Sequence, residues 1–205
     1  MTPPPEAQPA PDAAVARLRR ATAADAPGLA AFAARLFRDT YGPAGDPALS
    51  GGSRPDDVEA YVAPHFAPAV QAAELADPEL TTLVAEAADG ASAADAFVAY
   101  AQVRAPSPHP MVGSRAAEVV RFYVDAPWRG RGVADALMAA AVGAARAAGA
   151  PALWLSVLQR NARAVGFYRR HGFQSAGTST FRMGAEVQDD WIMVRPSSPD
   201  RQPDR

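Results

Sequence analysis

The chain has 205 residues, a formal net charge of -2 and nearly balanced acids and bases, which suits one domain with a sizeable core and gives no electrostatic reason for nucleic acid or an anionic membrane surface as partner. It has no cysteine and no lysine, so all 20 basic residues are arginine; a disulfide framework, a thiolate zinc site, a cysteine nucleophile, a Walker-type phosphate lysine and a Schiff-base lysine are excluded together. The Pro- and Ala-rich start lacks the basic residues and apolar run of a secretory signal, and the longest apolar passage, 133–145, is too short to cross a bilayer, so the expected location is the cytoplasm.

Residues 1–13 and 196–205 are expected to be disordered ends around one domain of 14–195. VARLRRAT reads as an opening strand and DAPGLAAFAARLFRDTY as an amphipathic helix begun by Asp25 and Pro27. A Gly/Pro/Ser loop runs from Gly42 to Ser53, and RPDDVEAYVAPHF and the segment around AVQAAELAD give one or two short helices punctuated by proline. Three strands follow, TTLVAEA, AFVAYAQV and AEVVRFYV, the first two joined by a hairpin-like connection around Asp89 to Asp95. A helix of about Val133 to Gly149 precedes PALWLSVL, a strand expected to be buried on both faces, then a short helix spans about Asn161 to His171. FQSAGTSTFRMG and DDWIMVR close the chain as two strands joined by a polar turn. The order is that of an α/β (α+β) domain, a mixed sheet with helices packed on its faces.

The passage EVVRFYVDAPWRGRGVA, residues 118–134, takes a strand through a glycine turn directly into an Ala-rich helix. Glycines at 130 and 132 leave nothing between the backbone N-H groups and an approaching anion; the helix end adds its dipole, and Arg129 and Arg131 add charge-assisted donors. That is a phosphate-binding turn. A dinucleotide fold would want a small residue where Asp135 stands, and a tight turn carrying two solvated arginines is the alternative.

A second stretch bears on the choice: LWLSVLQRNARAVGFYRRHGF places Asn161, Ala164, Phe167-Tyr168 and Gly172-Phe173 after an apolar strand. Together, Glu118 to Ala134 and Asn161 to Phe173 resemble the two core motifs of the GNAT family of acyl-CoA-dependent N-acetyltransferases. Leu36-Phe-Arg-Asp-Thr-Tyr41, Asp57-Val-Glu-Ala-Tyr61, Phe181-Arg-Met-Gly184, Gln188-Asp-Asp190 and Ile192-Met193 are similar to the bacterial spermidine/spermine-type members.

The resemblance implies a mostly antiparallel sheet of about seven strands with four or five helices, splayed between the fourth and fifth strands by a bulge near Val124. It implies acetyl-CoA as co-substrate, with its pyrophosphate on Arg129, Gly130, Arg131, Gly132, Val133 and Ala134, its pantetheine along Phe122, Tyr123 and Val124, and Asn161 touching it. The N-H at Val124 would polarise the thioester carbonyl.

Attack by a primary amine with a pKa near 10 costs roughly 4 kcal/mol at pH 7 unless a base or a shifted pKa intervenes. The resemblance makes Glu118, 11 positions before Arg129 where some family members place a general-base glutamate, the candidate base, directly or through water; the alternative is a strand carboxylate paired with an arginine. Tyr168 matches the family's acid for the departing thiolate, a transfer uphill by roughly 2 kcal/mol, or else packs in the core beside Phe167. Asn161 is equally an ordinary helix cap.

In the family the acceptor side is formed by the first helices and the last strand pair, which the resemblance places here at Phe37, Tyr41 and Phe181, with Asp56, Asp57, Glu59 and Trp191 in the same region; acids and aromatics there would suit a polyamine cation, helix capping being the alternative for the carboxylates. His65, His109 and His171 lack metal-ligand spacing, and no metal is expected. The expected activity is transfer of acetyl to the amine of a small molecule. A protein or peptide N-acetyltransferase and a non-catalytic acyl-CoA-binding module are the other readings, and a homodimer is expected by analogy.

Overall fold

The computed structural model describes residues 16–43, 45, 49, 54–88, 97–184 and 186–197. The expected lead segment, most of the loop between Gly42 and Ser53, the connection at 89–95 and the end beyond Ser197 lie outside these residues.

Strand β1 (Ala16–Arg20) leads through Thr22, whose N-H donates to the Asp25 carboxylate at 2.7 Å, into helix α1 (Ala26–Tyr41). Pro27 in the first turn fits the fixed φ of proline. Apolar residues at 29, 32, 33, 36 and 37 then fall on one helix face and are buried. Helices α2 (Pro55–Phe66) and α3 (Pro68–Ala76) are separate, because each opens on a proline and Ala67 before Pro68 is extended.

Strands β2 (Leu80–Ala87), β3 (Phe97–Arg104) and β4 (Ala117–Val124) form an antiparallel run, and a turn carries β4 into α4 (Val133–Ala147). Strand β5 (Ala152–Leu158), helix α5 (Ala162–Arg170) and the hairpin of β6 (Gln174–Met183) and β7 (Glu186–Pro196) complete the chain. The last strand carries through Pro196, and Ser197 N-H donates to Pro151 O at 2.9 Å.

The seven strands lie in the order β1-β2-β3-β4-β5-β7-β6, every neighbour antiparallel except β4 and β5. Alternation along the strands divides the side chains between two faces. On one face α1, α2 and α3 cover Tyr100, Val84 and Met183; on the other α4 and α5 cover Ala101, Val103, Leu155 and Met193.

The parallel pair is joined at only two positions, Ala117↔Leu153 and Glu118↔Trp154, and beyond them the strands diverge. The β3/β4 register jumps from Val103↔Val119 to Gln102↔Arg121, leaving Val120 as an extra residue on β4. The bulge therefore falls at Val120, four residues before the expected Val124. It acts as expected, turning β4 away from β5 immediately after their last shared pair.

From the α5 side, Phe167 and Tyr168 occupy the widening gap, packing on Phe122 with ring centroids 5.5 and 6.2 Å away. At the closed end the segment between β3 and β4 covers Trp154: the indole N-H donates to Ser107 O at 2.9 Å and His109 packs on the ring at 4.5 Å.

Candidate active site

The turn after β4 is built to leave amides free. Asp125 accepts from the N-H of Ala126 at 2.8 Å and is gripped by Arg35 of α1 at 2.7 Å, fixing where the strand ends. Gly130 and Gly132 have φ of +76° and +81°, and an added Cβ at either would have no atom within 4 Å. The left-handed turns are thus not forced by crowding; they open a concave space before the first turn of α4, whose N-cap, Gly132, offers no side-chain cap.

Arg131 lies over Trp128 at 5.4 Å, and Arg129 donates to Val124 O at 3.0 Å. The Arg129 guanidinium is held below the usual arginine range, first by partial burial and then by the charge of Arg163 in α5. Two cations brought together around open amides are relieved by an anion. Arg163 was not singled out from sequence; its place beside Asn161 in the first turn of the short helix was the available signal.

The backbone of β4 turns its free edge to the gap. Asp125 N-H bonds back to Val98 O at 2.9 Å, so by alternation the amide groups of Val124 and Phe122 point away from β3 toward β5. Across the gap Asn161 caps α5, its side-chain oxygen accepting from Ala164 N-H at 3.0 Å, which leaves its amide N-H₂ group for other use.

Tyr168 is buried among Phe122, Phe167 and Phe173, and no hydrogen-bond partner meets its hydroxyl among the described residues. Burial pushes the phenol well above its ordinary pKa, and the nearby Tyr41 adds to the rise. It therefore keeps its proton at neutral pH. Tyr41 comes from the opposite layer.

The opposite face carries the acids. Glu118 and Trp154 are paired, so Glu118, Trp154, Ser156 and Leu158 share that face. The Glu118 carboxylate accepts from Ser107 Oγ at 2.7 Å, at the closed end. Ser156 is exposed, so β5 is open toward this cleft rather than buried on both faces. Phe37 is buried behind the cleft, against Tyr41 and Tyr61, both at 4.7 Å. Phe181 packs edge-on against Tyr61 at 5.5 Å. Burial, then the charge of Asp190, pushes Tyr41 up to about 12.

Three of the acidic and aromatic groups expected near the acceptor are otherwise placed. Glu59 is engaged by Arg38 at 2.6 and 2.8 Å, and Asp57 lies against Gly184 in the β6–β7 turn. Trp191 is opposite Val157 and so packs on the α4/α5 layer. Its neighbour Asp190, opposite Leu158, faces the cleft instead. The period-2 alternation of DDWIMVR held this information, but only the register says which parity faces which side.

The histidines cap and pack: His65 bonds Tyr61 O at 2.7 Å, His171 meets Asp135 at 2.9 Å, and no metal-holding group of His, Asp and Glu occurs among the described residues.

The parallel pair β4/β5 thus parts beside a helix that begins in a glycine turn with no side-chain cap. Residues 51–173 match the acetyltransferase (GNAT) family. Uncharacterized N-acetyltransferases of Mycobacterium bovis and Mycobacterium tuberculosis are 35% identical over 171 residues, covering 83% of this chain and 97% of theirs. The fold is similar to PaiA N-acetyltransferase from Thermoplasma acidophilum in complex with coenzyme A, with a TM-score of 0.67, 17% identity and coverage of 88% and 98% of the two chains. It is also similar to yncA from Salmonella typhimurium with acetyl-CoA, with a TM-score of 0.59, 18% identity and coverage of 93% and 98%. The chain belongs to the GNAT family of acetyltransferases, and acetyl-CoA is its co-substrate.

Proposed function

We propose that this enzyme transfers acetyl to a primary amine of a small cationic molecule, a polyamine being the class its acceptor face suits best. One observation carries the reading: the partly buried aromatic side chains of Tyr41, Tyr61 and Phe181 cluster on the acceptor face, and the charge of the buried Asp190 reaches Tyr41. Desolvated acids and aromatic faces favour an ammonium group over an anion or a purely apolar ligand.

The groups present fit CoA. The amides from Gly130 to Ala134, with Arg129, Arg131 and Arg163, would hold its diphosphate, and Phe122, Tyr123 and Val124 its pantetheine arm, beside the amide N-H₂ group of Asn161. When bound, acetyl-CoA supplies an activated acyl group. The Val124 N-H would donate to the carbonyl oxygen of that group, already oriented in the gap and needing no movement at the moment of reaction. Tyr168, holding its proton, would donate to the departing sulfur. The ammonium proton has to leave on the acceptor face: Glu118, directly or through water, is the recipient its motif nominates, and Asp190 is the second carboxylate there.

The test is release of free thiol from acetyl-CoA against diamines, triamines, amino sugars and amino-terminal peptides. Highest kcat/KM on short aliphatic polyamines supports the proposal. Preference for a peptide, or CoA binding without turnover on any amine, overturns it.

A further inference from the structure

Two carboxylates stand on the acceptor face, and they differ in level along the sheet. Glu118 is opposite Trp154, at the closed foot of the gap. Asp190 is opposite Leu158, four residues further toward the open end, about 13 Å along the strand direction. Continuing the parallel register past the bulge brings Leu158 level with Phe122 and Tyr123, the part of β4 whose free edge faces the gap.

Asp190 is thus beside the reacting region and Glu118 below it. Asp190 is also nearly buried, with 8% exposure, and its side chain accepts one hydrogen bond, from Ser156 Oγ at 2.6 Å. Its charged neighbours are Asp189 on its own strand and Arg160 after β5, and the Tyr41 hydroxyl feels its charge from α1. Tyr41 in turn is felt by Tyr168 on the other side of the gap.

We propose that Asp190 is the general base of this transfer, its carboxylate taking the first proton of the acceptor ammonium. The assignment rests on the acetyltransferase reading and settles which carboxylate on that face acts. The ammonium gives one proton to Asp190. The freed nitrogen pair forms the C-N bond to the thioester carbonyl carbon, and the C-S bond breaks with its pair going to sulfur. The nitrogen, now carrying one proton too many for an amide, loses it; Tyr168 donates to the thiolate and is reprotonated from that nitrogen. Asp190 releases its proton to solvent, leaving amide, thiol and one proton.

Burial holds Asp190 above the usual aspartate range, and the Ser156 hydrogen bond restrains that rise. A base so placed is better matched to neutral pH than an ordinary carboxylate.

The experiment compares Asp190→Asn, Glu118→Gln and Ser156→Ala in thiol release with the best amine found, alongside calorimetric titration with CoA. Asp190→Asn is expected to lower kcat/KM by about a hundredfold or more, with CoA affinity unchanged, and Glu118→Gln by much less. Ser156→Ala removes the donor that stabilises the carboxylate, so the acid limb of the kcat/KM profile moves to higher pH; a structural role would not move it.

If Asp190→Asn fails to fold, that shift alone decides. Near-normal turnover by a folded Asp190→Asn enzyme, or an acid limb unmoved by Ser156→Ala, overturns the assignment while leaving the acetyltransferase reading intact. Wild-type enzyme that binds CoA and acetylates no amine overturns both.

Discussion

Glu74 of α3 holds the acceptor layer to the sheet, and removing it gives a stability loss that can be worked out. One of its oxygens, Oε2, accepts from Arg121 at 2.6 Å and from the amides of Gln71 and Gln102 at 2.9 Å each. The side chains of Arg121 and Glu74 are 12% and 20% exposed, so neither water nor salt screens them well. Glu74→Leu leaves the guanidinium with Gln102 Oε1 at 2.7 Å and the face of Phe66 at 4.8 Å, and no counter-charge. Breaking a buried pair from one side costs about 3–5 kcal/mol. For a domain of this size that corresponds to a fall in Tm of roughly 6–20 °C. Urea melts followed by circular dichroism should show the midpoint fall at unchanged slope. The double variant Glu74→Leu/Arg121→Met should recover most of the loss, because no unpaired charge remains. A loss below about 1 kcal/mol in the single variant would refute the reasoning, since it would mean the pair is effectively solvated.

Tyr168→Phe should cut turnover at least tenfold while CoA affinity, read by calorimetry, changes less than about threefold; equal losses would make the tyrosine a packing residue. Gly132→Ala should cost about 1–2 kcal/mol from its positive φ alone, because no protein atom opposes the new Cβ, while CoA titration should show a larger loss as the methyl enters the anion's space. Asp25, bonded first by Arg19 and further by Thr22, is held down to about 2. A depressed carboxylate stabilises fully above its unfolded pKa near 4 and loses that contribution, about 2 kcal/mol, as pH falls toward 2. The stability gap between wild type and Arg19→Met, measured by urea melts, should therefore narrow between pH 4 and 2; a constant gap would exclude the linkage.

The strand-to-helix turn could be read directly because its ingredients are consecutive: strand, proline, alternating glycines and helix fall within 17 residues, and each acts on its immediate neighbours. Tyr168 could be nominated because Asn161, Ala164, Phe167-Tyr168 and Gly172-Phe173 together match the family's second motif, a signal confined to 13 residues. The acceptor face was legible only in part, since it is assembled by register. Asp190 and Trp191 are adjacent in sequence and lie on opposite faces, and which of them reaches the cleft depends on pairing with Leu158 and Val157. Val120 looked like any strand residue in EVVRFYV; its exclusion from the ladder follows from Val103 pairing with Val119 and Gln102 with Arg121. The Glu74–Arg121 pair spans 47 positions, and nothing local in either segment signals it.

The two-residue contact between β4 and β5 makes this domain a pair of half-sheets sharing a short seam. One half ends at β4 and the other begins at β5, and beyond the seam no ladder pairing joins them among the described residues. A CoA arm that runs up the gap, as proposed, would bond to the first half and be gripped by the second, serving as the missing strand. Amide exchange along the upper part of β4 should therefore slow on CoA binding well beyond the direct contacts, and the bound chain should melt as a more cooperative unit than the free one.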